Sequence, residues 1–201
     1  MTPSEQYICR LFQDRYGILL RKIDDRDGVE GQTPDFEYIE NGSRIFVCEL
    51  KDYVMVIPSE ETGWEITSHP DGSEEATRKN NASNRISHNI YSAYKQLSTY
   101  REPKVLVILN YSSGLDVSDL DETYRGYFEI PVGNIRYINY YTRRASEGII
   151  KDIKSKIDLY VWVDKANPLL SDDDDKIYFR TVTEAGKELA RKYFGMTFEL
   201  M

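Results

Sequence analysis

Apolar positions in the first sixteen residues follow a helical spacing. Ile8, Leu11, Phe12 and Arg15 mark one face, and the spacing predicts a helix reaching about Tyr16. Its start is readable: Thr2 can cap, Pro3 sits at the first helical position, and Glu5 follows Thr2 by three residues, as in a capping box. Gly17 supplies the stop. The pattern then changes to two β-rich runs, Thr33–Ile39 and Arg44–Lys51, flanking Asn41-Gly42. That arrangement is a strong short-range hairpin signal. The second run is apolar on both faces up to Glu49, as expected of a central strand. Tyr53 to Ile57 extends or follows it.

Residues 58–75 are acidic, contain Gly63, Pro70 and Gly72, and read as a loop or short hairpin. Ile86, Ile90, Ala93, Leu97 and Tyr100 form the apolar stripe of a second long helix over residues 82–100. Lys104 to Asn110 is a buried strand, and residues 112–125 read as a loop with Asp116 and Asp119 as candidate caps. One or two strands are expected between Tyr127 and Tyr141, a helix over 145–156, a strand over Ile157–Val163 and a final amphipathic helix from Thr183 to Phe194. The order of helix, hairpin, helix, strand and mixed elements predicts an α/β fold, with helices packed on a mixed central sheet. One domain is expected, with residues 112–201 completing the sheet that residues 1–111 begin.

Composition supports a packed interior. Hydrophobic residues are 40% of the 201, and charged residues, 30%, are spread between apolar segments, which excludes global disorder. The net charge of −8 argues against a general nucleic-acid coat protein, but its distribution is uneven. Residues 24–40 carry seven acids against Arg26, whereas residues 76–104 carry six bases against Glu102. Residues 136–156 add Arg143, Arg144 and Lys151 among six further bases. An acidic centre beside basic segments is what a metal site on a phosphate backbone needs. Cys9 and Cys48 lie in apolar contexts and read as buried thiols of a reducing compartment. No apolar run approaches the length of a membrane span and no signal-peptide pattern is present, so the expected location is cytoplasmic.

The chemistry concentrates at Asp35, Glu49 and Lys51. Glu49 and Lys51 are two apart at the end of one strand, so both leave the same face. A strict two-residue turn at Asn41-Gly42 would pair Asp35 with Cys48. A three-residue loop, or a bulge of equal effect, would set Asp35 across from Glu49, and that register is the expected one. Two converging carboxylates repel unless a cation lies between them, and hard oxygen ligands with an open water sphere suit Mg²⁺ or Mn²⁺. The Lys51 ammonium on the same face could position a water and offset charge developing at phosphorus.

Pro34-Asp35, a spacer, then Glu49-Leu50-Lys51 resembles the motif of the PD-(D/E)XK nuclease superfamily, whose core has the same helix, motif hairpin, helix and strand. The resemblance covers residues 1–111 and implies a restriction-endonuclease-like core. It also implies a Mg²⁺- or Mn²⁺-dependent nuclease, most naturally a deoxyribonuclease of restriction, repair or mobile-element defence, leaving 5′-phosphate ends. By the same resemblance Asp35 and Glu49 hold the metal with the Leu50 carbonyl, Lys51 assists the water, and Glu5 stands where many members carry a first-helix glutamate. Gln96-Leu-Ser-Thr-Tyr100 is similar to the Gln-x-x-x-Tyr element of RecB-like members. Many members dimerise to cut two strands, so a homodimer is one expectation.

Other readings of these residues stand beside that one. Glu49 and Lys51 could form an ion pair at a strand end, Asp35 could shape the turn after Pro34, and the capping box explains Glu5 fully. Gln96 and Tyr100 share a helix face in either case, and Tyr100 suits the core. Arg85, Lys95, Arg143 and Arg144 could touch phosphates or stand as solvated charges. No further ligand lies at metal-binding sequence spacing from His69 or His88, which argues against zinc. The run Asp172 to Asp175 lacks the glycine and glutamate of a calcium loop and reads as solvated. The same core could also serve as a catalytically silent module binding nucleic acid or protein, or as a structural subunit.

Overall fold

A computed structural model of the chain describes residues 1–24, 33–53, 64–70, 72, 74–78, 82–112, 115–132, 135–140, 150–165 and 175–197. Its elements are α1 (Pro3–Tyr16), β1 (Arg21–Lys22), β2 (Phe36–Glu40), β3 (Ser43–Tyr53), β4 (Trp64–Ser68), β5 (Glu74–Arg78), α2 (Ala82–Leu97), β6 (Lys104–Asn110), α3 (Val117–Arg125), β7 (Tyr127–Val132), β8 (Ile135–Tyr140), β9 (Leu159–Asp164), β10 (Lys176–Thr181) and α4 (Glu184–Phe194). Six strands make one mixed sheet in the order β1-β2-β3-β6-β9-β10. Its three central strands run parallel, and the outer pairings are antiparallel. The two antiparallel pairs β4-β5 and β7-β8 stand apart from it.

The sheet is covered on both faces, which is why its central strands are continuously apolar. Phe46, Cys48 and Leu50 of β3 face a cluster with Ile8, Leu11 and Phe12 of α1 and Leu189, Ala190 and Phe194 of α4. Val47 and Tyr53 face the opposite cluster, with Ile86, Ile90, Ala93 and Leu97 of α2 and Leu120 of α3. Strand alternation therefore sends Glu49 and Lys51 toward α2 and Asp52 toward α1.

The start of α1 is as expected: Thr2 caps it in a complete box with Glu5, and Gly17 closes it with a left-handed backbone, φ 66°. Residues 112–125, expected as a loop, instead hold α3. Asp116 is its N-cap, and Asp119, the other expected cap, returns the bond from the third helical position. The capping signals were legible, but the body between them buries only Asp119, Leu120 and Thr123, too narrow a stripe to register as periodic.

The second helix ends at Leu97 rather than Tyr100; Ser98, Thr99 and Tyr100 form a closing turn, with the Tyr100 N–H donating to the Leu97 carbonyl at 3.1 Å. Residues 58–75 contribute β4 and the start of β5, and β7 and β8 pair antiparallel between Tyr127 and Tyr140. Of the helix expected over 145–156, residues 145–149 lie outside the described residues, and the remainder contains a 3-10 turn, Lys154–Lys156. The edge strands β1 and β10 were not anticipated. Asp175 also departs from expectation: it is buried, accepts a hydrogen bond from the Tyr7 hydroxyl and lies 3.9 Å from Lys165. Residues 172–174 lie outside the described residues.

At the N-terminal edge of the parallel strands, Asp158 ties three elements together. Its carboxylate accepts from the Lys104 N–H at 2.8 Å and from the Thr183 hydroxyl at 2.5 Å, and Thr183 caps α4. Gly186 packs so closely here that a Cβ would sit 2.7 Å from the Asp158 carbonyl carbon and nearer still to its oxygen. Backbone cannot yield as a flexible side chain does. Gly186→Ala is accordingly expected to cost about 2 kcal/mol in urea denaturation; an unchanged midpoint would contradict this packing.

Candidate functional site

The hairpin that carries the candidate chemistry is built by two local devices. Asn41 and Gly42 both adopt positive φ, 52° and 77°, and close a two-residue turn with Glu40 opposite Ser43. A bulge follows. Ile39 pairs with Arg44 but Tyr38 pairs with Phe46, leaving Ile45 as the extra residue, and the ladder continues to Phe36 opposite Cys48. The turn is the strict one, yet the bulge shifts the register by one residue. This is the bulge of equal effect expected from the sequence: the next position along brings Asp35 to Glu49. The Asp35 N–H donates to Glu49 Oε2 at 3.2 Å, and the Leu50 N–H donates to Asp35 Oδ2 at 2.9 Å.

Lys51 completes the group. Its ammonium donates to Glu49 Oε1 at 2.6 Å and to Gln96 Oε1 of α2 at 3.0 Å. Gln96 therefore joins the site by direct contact. Tyr100 stands beyond the end of α2, under the Arg44 guanidinium at 5.4 Å.

Glu49 is 1% exposed, and its surroundings disfavour charge. Burial foremost, then the Asp35 carboxylate, push its pKa up to about 7 against the pull of Lys51 and the Asp35 N–H. Asp35, half-buried, is also raised, chiefly by burial; the Leu50 N–H, Lys22 and Lys51 oppose the shift and Glu5 adds to it. Two carboxylates that resist ionisation side by side form a donor set short of positive charge.

Glu5 lies on the other side of Asp35. One oxygen closes the capping box on the Thr2 N–H at 2.6 Å, and the other is ion-paired with Lys22 of β1. Burial works to raise this carboxyl, but the bonds from Lys22 and Thr2 and the Lys22 charge outweigh it, so it lies below its ordinary range. Lys22 was missed in the sequence. It sits 17 residues from Glu5, in a two-residue edge strand with no periodic signal.

Arg85 is half-buried on α2, and Lys95 is exposed with its ammonium over the Tyr91 ring at 4.3 Å. Arg143 and Arg144 lie outside the described residues. Cys48, buried directly beneath the site, and Cys9 are free, and burial raises both thiols above their usual range, which suits inert packing groups.

Among the described residues, no group of three or more His, Cys, Asp and Glu side chains is arranged to hold a metal ion. Asp35 and Glu49 offer two carboxylates, a donor set that suits Mg²⁺ or Mn²⁺ retaining several waters and falls short of a calcium cage. No helix among the described residues is long and apolar enough to cross a membrane. No protein-family model matches this chain, and no curated protein or solved structure is similar enough to match it.

Proposed function

We propose that this protein is a metal-dependent nuclease with a restriction-endonuclease-like core, hydrolysing phosphodiester bonds in DNA. The observation that carries this reading is the bulge at Ile45, which sets Asp35 against Glu49 while Lys51 bonds the same carboxylate. Asp35, Glu49 and the Leu50 carbonyl are the groups that would hold Mg²⁺ or Mn²⁺. When bound, such an ion polarises a phosphoryl oxygen and lowers the pKa of a coordinated water.

The chain's own residues have separable tasks. Asp35 and Glu49 bring negative charge to one point, and burial keeps that charge poorly solvated, so a cation or proton is strongly favoured there. Lys51 keeps an ammonium beside the pair, where charge develops as a phosphodiester is attacked. Two of its three N–H donors are held by Glu49 and Gln96, leaving the third to orient a water. Gln96 aims the amine. Its replacement by alanine is expected to lower the single-turnover cleavage rate about tenfold with little change in melting temperature. A rate equal to wild type would remove Gln96 from the site.

The test of the whole reading is incubation of purified protein with plasmid, linear and single-stranded DNA, and with RNA, with Mg²⁺ or Mn²⁺ and with chelator. DNA cleavage that requires the cation and is lost in Glu49→Ala/Lys51→Ala supports it. Cleavage that survives the double substitution places the activity elsewhere.

A second reading is favoured by the closed Lys51–Glu49 ion pair and the sequence pI of 4.9: a silent module of the same fold that binds nucleic acid or a protein. Calorimetric titration with Mn²⁺ separates the two, because a silent module has no binding that depends on Asp35 and Glu49.

A further inference from the structure

Lys22 has no place in the scheme so far, yet it stands next to the acidic centre. Its residue pairs with Phe36, the neighbour of Asp35, and the Ile23 N–H donates to the Asp35 carbonyl at 3.1 Å. Its ammonium reaches Glu5 Oε1 and lies 5.7 Å from the Phe36 ring centroid. The side chain is 43% exposed while that of Glu5 is 9% exposed, so the cation covers a buried carboxylate from the solvent side. Both charges are felt at Asp35. Asp35 thus stands between two carboxylate–ammonium pairs, Glu5 with Lys22 and Glu49 with Lys51.

We infer that Lys22 is a gate on this site: a built-in counter-cation that holds Glu5 in the metal-free protein and must leave it when a divalent cation binds. This rests on the nuclease reading and adds a regulatory element to it. A dipositive ion at Asp35 and Glu49 repels an ammonium whose charge already acts on Asp35. It also competes for the carboxylate the ammonium holds, so Lys22 and the metal oppose each other. Lys22 sits on an edge strand of two residues, where a side chain can move without disturbing the core. Once displaced, it stands at the solvent side of the site as a cation able to meet a phosphate.

The probe is Mn²⁺ alone, titrated calorimetrically into the full chain. Lys22→Met keeps the aliphatic stem and removes the charge. It is expected to bind Mn²⁺ about tenfold more tightly than wild type, the gain being limited by screening at a half-exposed amine. Adding Glu5→Gln should abolish the gain, because it flows through the released carboxylate. If wild type binds in a manner dependent on Asp35 and Glu49, and Lys22→Met binds no more tightly, the gate is overturned and the nuclease reading stands. If neither binds, both fall.

The unaltered protein gives a check that does not depend on the variant folding. With Mg²⁺ added, the Glu5 carboxyl and Lys22 side-chain carbon signals should shift together with those of Asp35 and Glu49. Fixed Glu5 and Lys22 signals beside moving Asp35 and Glu49 signals would overturn the gate.

Discussion

Glu49→Ala combined with Lys51→Ala is expected to lower Mg²⁺-dependent DNA cleavage by about a thousandfold while leaving the protein folded. The size follows from removing two groups at once: a carboxylate that would bind the ion, and a cation positioned where charge develops, for which a loss of about 10²- to 10³-fold is typical. The double change is preferable to either single one. Lys51→Ala alone strands a carboxylate that is 1% exposed beside Asp35, and Glu49→Ala alone leaves the Lys51 ammonium with Gln96 as its remaining described hydrogen-bond partner. Breaking one half of a buried pair costs far more stability than removing both. Circular dichroism and urea denaturation should therefore show a near-native double variant. Rates should be read by single turnover with excess protein, so that binding and chemistry separate. A double variant cutting within a few-fold of wild type would end the assignment of this site.

The register behind that prediction was only half legible in the sequence. Asn41-Gly42 announces the turn because both residues accept positive φ. Nothing in Arg44-Ile45-Phe46 announces the bulge, which lacks the glycine that often marks one. The central strands were readable because full burial leaves an unbroken apolar run. Edge strands β1 and β10 were not, since both residues of β1 are exposed and charged and β10 has no fully buried residue and carries Lys176 and Arg180. Asp175 looked like the end of a solvated acidic run because its partner Tyr7 lies 168 residues away. Lys22 escaped for the same reason. Gln96 was suggested by resemblance, but its grip on Lys51 spans 45 residues and depends on α2 packing against β3. Short-range signals fix turns and caps; the side chains that meet in the site are assembled by the sheet.

The buried pair should also leave a mark on stability in the metal-free protein. Glu49 titrates near its ordinary 4.5 when unfolded and at about 7 in the folded chain. Below pH 4.5 the carboxyl is neutral in both states, and its burial costs least. Between pH 4.5 and about 7 the unfolded chain releases the proton while the folded one retains it. Stability therefore falls as pH rises through that window and levels off above it. A shift of that size corresponds to about 3 kcal/mol.

Glu37 and Glu5, held low with burial opposed by Arg21 and Arg44 or by Lys22, act in the opposite sense and lose stability as pH falls. The total curve mixes both, so a difference experiment is needed. Glu49→Gln keeps the shape and an oxygen for Lys51 but cannot ionise. The variant should gain on wild type by about 3 kcal/mol between pH 4.5 and pH 8 in urea denaturation with chelator present. Saturating Mn²⁺ at pH 8 should narrow the gap, because the ion stabilises the ionised pair in wild type but not in the variant. A gap that stays constant from pH 4.5 to pH 8 would mean that Glu49 ionises freely in the fold. The electrostatic strain on which the proposed cation site rests would then be absent.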